Sequence, residues 1–350
     1  MRSQSTYAGA AIALLSAAVP LASAQLYSDC NPTKNSTCPP NVGLANYTFE
    51  SDFTTGDNSS WEGAAYTVIN YGDNGAEFTI NKDTDAPTMH TEFYSFFGYF
   101  EVEMKAAPGT GVVSSIVLES DDLDEVDWEC LGGNTTSIQS NYFGKGNTTS
   151  YDRGAYHEVD TPQDTFHKYA FEWTNASMSW LIDGNVVRTL AYEDALGGKN
   201  YPQTPARLSL GVWSAGTEKQ DKWTVQWAGG YTDFDDAPFT MYVKSVKIIN
   251  YNPGMNYNWT DETGSFESIQ IINETVAVNS SSTTDSSSSS LGSGVSTNGS
   301  SSTGTASSAS GTTTAFAQNG SSAASSIADR AWIVTSAISF VSFAIGFSLL

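Results

Sequence analysis

The sequence predicts an all-β protein of two packed antiparallel sheets, followed by a disordered Ser/Thr-rich stalk. Runs with a period of two recur, turn signals separate them, and no amphipathic helix of convincing length interrupts them. Phe100-Glu101-Val102-Glu103-Met104-Lys105 alternates cleanly, as do parts of 241–249, and Asp73-Asn74-Gly75 and Asp183-Gly184 read as turns. About 250 residues remain once the two ends are set aside, ample for one large sandwich.

At the N-terminus, Arg2 precedes an apolar run over 8–21, and Ala22-Ser23-Ala24 has the small-x-small form of a signal-peptidase site. Residues 1–24 therefore read as a signal peptide and Gln25 as the first mature residue. In the segment 25–44, Cys30 and Cys38 flank a short polar loop before Pro39-Pro40, and a disulfide between them suits an exported chain.

Asp124-Glu125-Val126-Asp127-Trp128-Glu129 is the most informative stretch. On a β-strand, Glu125, Asp127 and Glu129 share one face, while Val126, Trp128 and Cys130 share the other. Three carboxylates so placed repel one another, which raises at least one pKa and leaves a protonated acid beside an ionised one. Glycosidases use such a pair, held about 5–5.5 Å apart in retaining enzymes and wider apart in inverting ones, and the spacing on this strand tolerates the retaining geometry without proving it. A solvated acidic face and a calcium site are the competing readings, and Asp121, Asp122 and Asp124 read as an ordinary solvated turn. The apolar second face favours a buried strand. It also places Cys130 inside the sandwich as an inert thiol.

This segment, followed by Leu131-Gly132-Gly133, resembles the E-[IVL]-D-x-E active-site strand of glycoside hydrolase family 16, in its fungal Crh branch. Phe97-Gly98-Tyr99-Phe100-Glu101-Val102 and Gly109-Thr110-Gly111-Val112-Val113-Ser114 resemble the family's preceding strands. His167-Lys168-Tyr169-Ala170-Phe171-Glu172-Trp173 and Trp180-Leu181-Ile182-Asp183-Gly184 resemble its sandwich core. Trp213-Ser214-Ala215-Gly216, Trp227-Ala228-Gly229-Gly230 and Ala237-Pro238-Phe239 resemble its cleft segment. The resemblance implies a concanavalin-like jelly roll over 45–252, with Glu125 as nucleophile, Asp127 as assisting carboxylate and Glu129 as general acid/base. The strict alternation needs no β-bulge.

Sugars bind through hydroxyl hydrogen bonds and through apolar faces laid on aromatic rings. The candidates are Trp213, Trp223, Trp227, Tyr231 and Phe234 in the cleft-like stretch, and Gln139, Asn141, Tyr142, Phe143 and Lys145 after the carboxylate strand. For each, packing in the core or a solvated loop is the alternative. The Crh resemblance implies cleavage of chitin and transfer to β-glucan or chitin, cross-linking a fungal wall. A retaining hydrolase (chitinase or β-1,3(4)-glucanase) and a glycan-binding wall mannoprotein are the alternatives.

The formal charge of −23 argues against nucleic acid and is compatible with a neutral polysaccharide. His90, His157 and His167 are too scattered to argue for zinc, so no metal or cofactor is expected, although a distant structural calcium stays open. The chain is expected to be a monomer.

Residues 253–278 extend the domain. Over 279–319, Ser, Thr, Gly, Asn and Ala dominate, the composition of an O-glycosylated stalk. Asn319-Gly320-Ser321, a polar spacer over 322–330 and an uncharged apolar tail over 331–350 have the layout of a glycosylphosphatidylinositol (GPI) signal. Asn319 is the preferred attachment residue and 320–350 the removed propeptide; a transmembrane helix is the alternative. Sequons begin at Asn35, Asn46, Asn58, Asn134, Asn147, Asn175, Asn258, Asn273, Asn279 and Asn298. The expected location is outside the cell, at the plasma membrane or wall.

Overall fold

The structure, a computed structural model, describes residues 28–273. The signal peptide, the stalk, the sequons at Asn279 and Asn298 and the attachment residue Asn319 lie outside the described residues.

The strands are β1 (Asn41–Val42), β2 (Thr48–Asp52), β3 (Trp61–Gly63), β4 (Ile69–Gly72), β5 (Gly75–Ile80), β6 (Thr88–Thr91), β7 (Gly98–Lys105), β8 (Val112–Ser120), β9 (Glu125–Leu131), β10 (Ser137–Phe143), β11 (Ala155–Glu158), β12 (His167–Trp173), β13 (Ser177–Ile182), β14 (Asn185–Ala191), β15 (Ala206–Ser214), β16 (Phe239–Asn250), β17 (Asn256–Trp259) and β18 (Ile269–Ile272). Among the described residues a short α-helix, α1 (Lys222–Trp227), starts where the Asp221 side chain accepts the N–H groups of Trp223 and Thr224.

Two antiparallel sheets form the expected jelly-roll sandwich. One has the order β11-β10-β9-β8-β15-β6-β3, and the other β14-β13-β12-β7-β16-β5-β4, with β2 also paired to β16. The alternation of β7 shows how the back sheet is built: Phe100, Val102 and Met104 are buried, while Tyr99, Glu101, Glu103 and Lys105 are half-buried on the opposite face. There, Lys168 pairs with Glu101 at 2.9 Å and Lys244 with Glu103 at 3.7 Å.

Between the sheets lies a core rich in aromatics. Trp128 of β9 stacks on Phe171 of β12, with ring centroids 6.4 Å apart, and its indole N–H donates to the Ala170 carbonyl at 3.2 Å. Trp180 of β13 donates in the other direction, to the Asp127 carbonyl at 3.2 Å. These two indoles bind β9 to the back sheet. Cys130 is fully buried and unpaired, and burial pushes its thiol up to about 12, which keeps it un-ionised at neutral pH.

A third sheet, β1-β17-β18, joins the two ends of the described chain. Next to it, Cys30 and Cys38 form the expected disulfide. The buried Asn250 ties this sheet to the sandwich by donating to the Leu44 carbonyl at 2.9 Å and to Tyr257 Oη at 3.0 Å.

Candidate active site

Strand β9 has every residue buried, for two different reasons. Val126, Trp128 and Cys130 enter the core, whereas Glu125, Asp127 and Glu129 line the opposite face of the sheet at 4%, 1% and 8% exposure. The register with β8 and β10 runs without interruption, so no bulge redirects a carboxylate.

Cross-strand partners share a face, and register therefore defines the floor around the acids. Glu129 lies between Gln139 of β10 and Ser115 of β8, Asp127 between Asn141 and Val117, and Glu125 between Phe143 and Glu119. The last row continues to Arg207 on β15, and the Asp127 row to Ser209 and then His90 on β6. Burial, with a smaller contribution from the Arg207 charge, holds His90 below its ordinary pKa.

The electrostatics separate the three acids. Burial is the main force raising Asp127 well above the usual carboxylate range. The charges of Glu129 and Glu125 and a hydrogen bond to Glu125 add to it, against a small opposing pull from Arg188. These forces all favour the protonated form of Asp127, which is hydrogen-bonded to Glu125. Glu129 is pushed up to about 8, first by burial and then by the Glu125 charge. The site therefore holds an acid ready to donate beside a hydrogen-bonded pair.

Behind the strand, Arg188 donates to the Ser140 carbonyl at 3.1 Å, to Ser140 Oγ at 2.9 Å and to the Arg153 carbonyl at 2.7 Å. It braces β10 from the core side.

Of the expected binding residues, Gln139, Asn141 and Phe143 share the face of the acids. The Trp227 indole donates to Gln139 Oε1 at 3.2 Å and stacks on Trp213 at 6.3 Å between centroids. Trp213 lies opposite Val113, itself opposite Leu131, so this pair stands at the Glu129 end of the floor.

Tyr142 is a correction: it pairs with Val126 and turns into the core. Lys145 is another. Its backbone is left-handed, with φ 52°, and its Nζ lies 3.7 Å from Asp124, so it serves a buried acidic turn. Phe234 packs on the main core. Trp223 and Tyr231 are 67% and 65% exposed and, among the described residues, make no ring contact with the Trp213–Trp227 pair.

The turn before β9 is not the ordinary solvated one expected. Asp122 and Asp124 are 1% and 2% exposed. Asp124 accepts the Lys145 N–H at 2.9 Å and the Gln203 N–H at 2.8 Å, and Asp122 accepts the Thr204 hydroxyl at 2.8 Å. Burial, then the Asp124 charge, pushes Asp122 up to about 7. Among the described residues, no group of three or more His, Cys, Asp or Glu side chains is arranged to hold a metal ion.

Sequence reasoning missed Glu119, Arg207 and Tyr156. Glu119 is six residues before Glu125, across a tight turn, and counting back through that turn places it opposite. Tyr156 pairs with Gln139, and its hydroxyl pKa is raised by burial and by the nearby Glu129 charge.

A family model described as Glycosyl hydrolases family 16 matches residues 55–229. Crh-like protein 1 of Aspergillus fumigatus is 56% identical over 261 residues, which are 75% of this chain and 71% of that protein. Crh-like protein 5 of the same organism is 59% identical over 259 residues, 74% and 65% of the two chains. Among solved structures, Crh5 transglycosylase in complex with NAG is similar at 58% identity and a TM-score of 0.68, over 69% of this chain and 99% of that one.

Proposed function

Because the chain belongs to glycosyl hydrolases family 16, we propose that Glu125, Asp127 and Glu129 are the catalytic carboxylates of a retaining cell-wall transglycosylase, with chitin as donor and β-glucan or chitin as acceptor. The observation that carries this reading is the contrast on one buried strand: Glu129 raised to about 8 beside an Asp127 that is hydrogen-bonded to Glu125.

The steps follow from that contrast. Glu125 attacks the anomeric carbon, the glycosidic C–O bond breaks, and the Glu129 proton goes to the leaving oxygen. Esterification removes the Glu125 charge. The repulsion that helped hold the Glu129 proton disappears with it, so Glu129 is left ionised, the form that can accept a proton in the second step. The acceptor hydroxyl then gives its proton to Glu129 as its oxygen attacks the same carbon, and the ester to Glu125 breaks. Asp127 keeps its own proton throughout and offers it as a hydrogen bond to Glu125, which steadies that carboxylate whenever it is ionised.

Transfer requires a bound sugar to displace water from this second step. Gln139, Trp227, Trp213 and Tyr156 at the Glu129 end offer aromatic faces and a polar amide for such an acceptor. The similarity to a transglycosylase solved with NAG supports N-acetylglucosamine units as donor. The Ser-rich segment and apolar tail support a GPI anchor that holds the chain beside its insoluble substrates.

Incubation with a chitin oligosaccharide and a fluorescent β-glucan oligosaccharide is expected to yield hybrid masses. Glu125→Gln abolishes them, and Glu129→Gln reduces them by at least about 100-fold, while both variants stay folded by circular dichroism. Shortened chitin without hybrids would make the protein a hydrolase; substantial transfer by either variant would overturn the assignment of roles.

A further inference from the structure

Away from the carboxylates, an open groove of about 410 Å³ is lined by Asn175, Tyr192, Glu193, Ser265, Phe266 and Glu267, among others. Its volume falls in the range of about 300–1,000 Å³ typical of small-molecule sites. The aromatic part is Tyr192 and Phe266, both half-buried, with centroids 6.2 Å apart and planes at 85°. Ser265 and the two exposed glutamates add hydrogen-bonding groups. Apolar rings with polar groups around them suit the two sides of a pyranose.

Asn175 begins an Asn-Ala-Ser sequon and occupies the tip of the β12–β13 turn. The turn is rigid: the Thr174 N–H donates to the Ser177 carbonyl at 2.9 Å, and Thr174 Oγ1 accepts the Ser177 N–H at 3.0 Å. Among the described residues, no hydrogen bond engages the Asn175 side chain, which is exposed. By contrast, the side-chain amides of Asn134 and Asn147 donate to Ser137 Oγ at 2.7 Å and Asn200 Oδ1 at 2.9 Å. At those two positions the amide nitrogen is already committed to a hydrogen bond within the fold.

We propose that this groove seats the N-glycan carried by Asn175, whose first N-acetylglucosamine units lie against Tyr192 and Phe266. The attachment residue is itself part of the groove wall, so the sugar is delivered by a covalent link. Effective concentrations for such short tethers are on the order of millimolar or higher, enough to populate a contact too weak to hold free sugar. The bound glycan joins the β12–β13 hairpin to the segment Phe266–Ser268, which lies beyond the family-matched residues 55–229.

The test compares the full chain from a eukaryotic host with Asn175→Gln and with Ser177→Ala, which removes the sequon but keeps the asparagine. Peptide mass mapping is expected to find Asn175 occupied. Both variants are expected to melt about 2–4 °C lower and to show faster amide exchange over 265–272. Trimming with endoglycosidase H, which leaves one N-acetylglucosamine, is expected to retain most of the protection. Phe266→Ala is expected to give the same loss in the glycosylated chain and no further loss on the Asn175→Gln background. An unmodified Asn175, or unchanged exchange in both sequon variants, overturns the proposal. So does uptake of free chitin oligosaccharide by the groove of Asn175→Gln, which would make it a polysaccharide site instead.

Discussion

In the mechanism proposed above, Glu129 gives up a proton in one step and takes one back in the next, and its surroundings set the pH at which that works. Its pKa is raised by burial and by the Glu125 charge to about 8, so the donating form is lost as pH rises through that value. Turnover is expected to fall above about pH 8 in a rate profile; a profile flat to pH 10 would remove Glu129 from the acid role. The same group weakens the fold at high pH. Its folded pKa lies above the unfolded 4.5, so the native state holds the extra proton and stability declines as pH rises from about 4.5 to 8. Asp122, raised from 3.8 to about 7, adds to the decline over a lower window. Glu129→Gln is expected to raise the melting temperature at pH 8 by several degrees and to change it little at pH 4. Legibility at this scale depended on parity. The three acids follow directly from period two, and the same rule applied to 139–143 separates Gln139, Asn141 and Phe143 from Tyr142. Lys145 was not legible, because its left-handed backbone takes it out of any strand pattern. Arg207 and Tyr156 were hidden because strand pairing, which a single sequence does not state, brings them to the floor.

Strand β9 depends on its apolar face as much as on its acids. Trp128 and Trp180 each send an indole N–H across the core to a carbonyl of the opposite sheet, and the Arg188 guanidinium lies 4.6 Å from the Trp180 ring centroid. Trp180→Phe keeps most of the packing and removes the bond to the Asp127 carbonyl. It is expected to destabilise by about 1–3 kcal/mol in urea unfolding and to lower turnover through the position of Asp127. Full activity at reduced stability would mean that the bond holds the fold without aligning the acids. The strong elements, β7, β9, β12 and β13, announce themselves by alternation or by Trp-rich runs. The two-residue β1 and the four-residue β17 and β18 carry too few residues for a periodic signal, and they exist because they pair with one another.

At the scale of the molecule, the third sheet completes a sandwich that the family-matched residues do not fill alone. Tyr257 is fully buried against Phe96 at 5.8 Å, and Trp259 donates to Asn41 Oδ1 at 2.7 Å. Ending the chain at Asn252 removes both and leaves the buried Asn250 without its Tyr257 partner. Such a truncation is expected to yield insoluble protein or a melting temperature more than about 10 °C lower, since burying one large aromatic is worth about 3–5 kcal/mol. A truncated chain that melts like the full one would make the third sheet dispensable. The register of that sheet also decides how the protein bears load. Ile272 pairs with Asn256 and Ile269 with Trp259, so a pull on the chain beyond residue 273 reaches the Ile272 end of β18 first. Tension from a moving wall would peel this outer strand before it strained β9, which belongs to a different sheet and is clamped from behind by two indoles. With the anchor proposed above, the hairpin would act as a mechanical fuse between tether and chemistry.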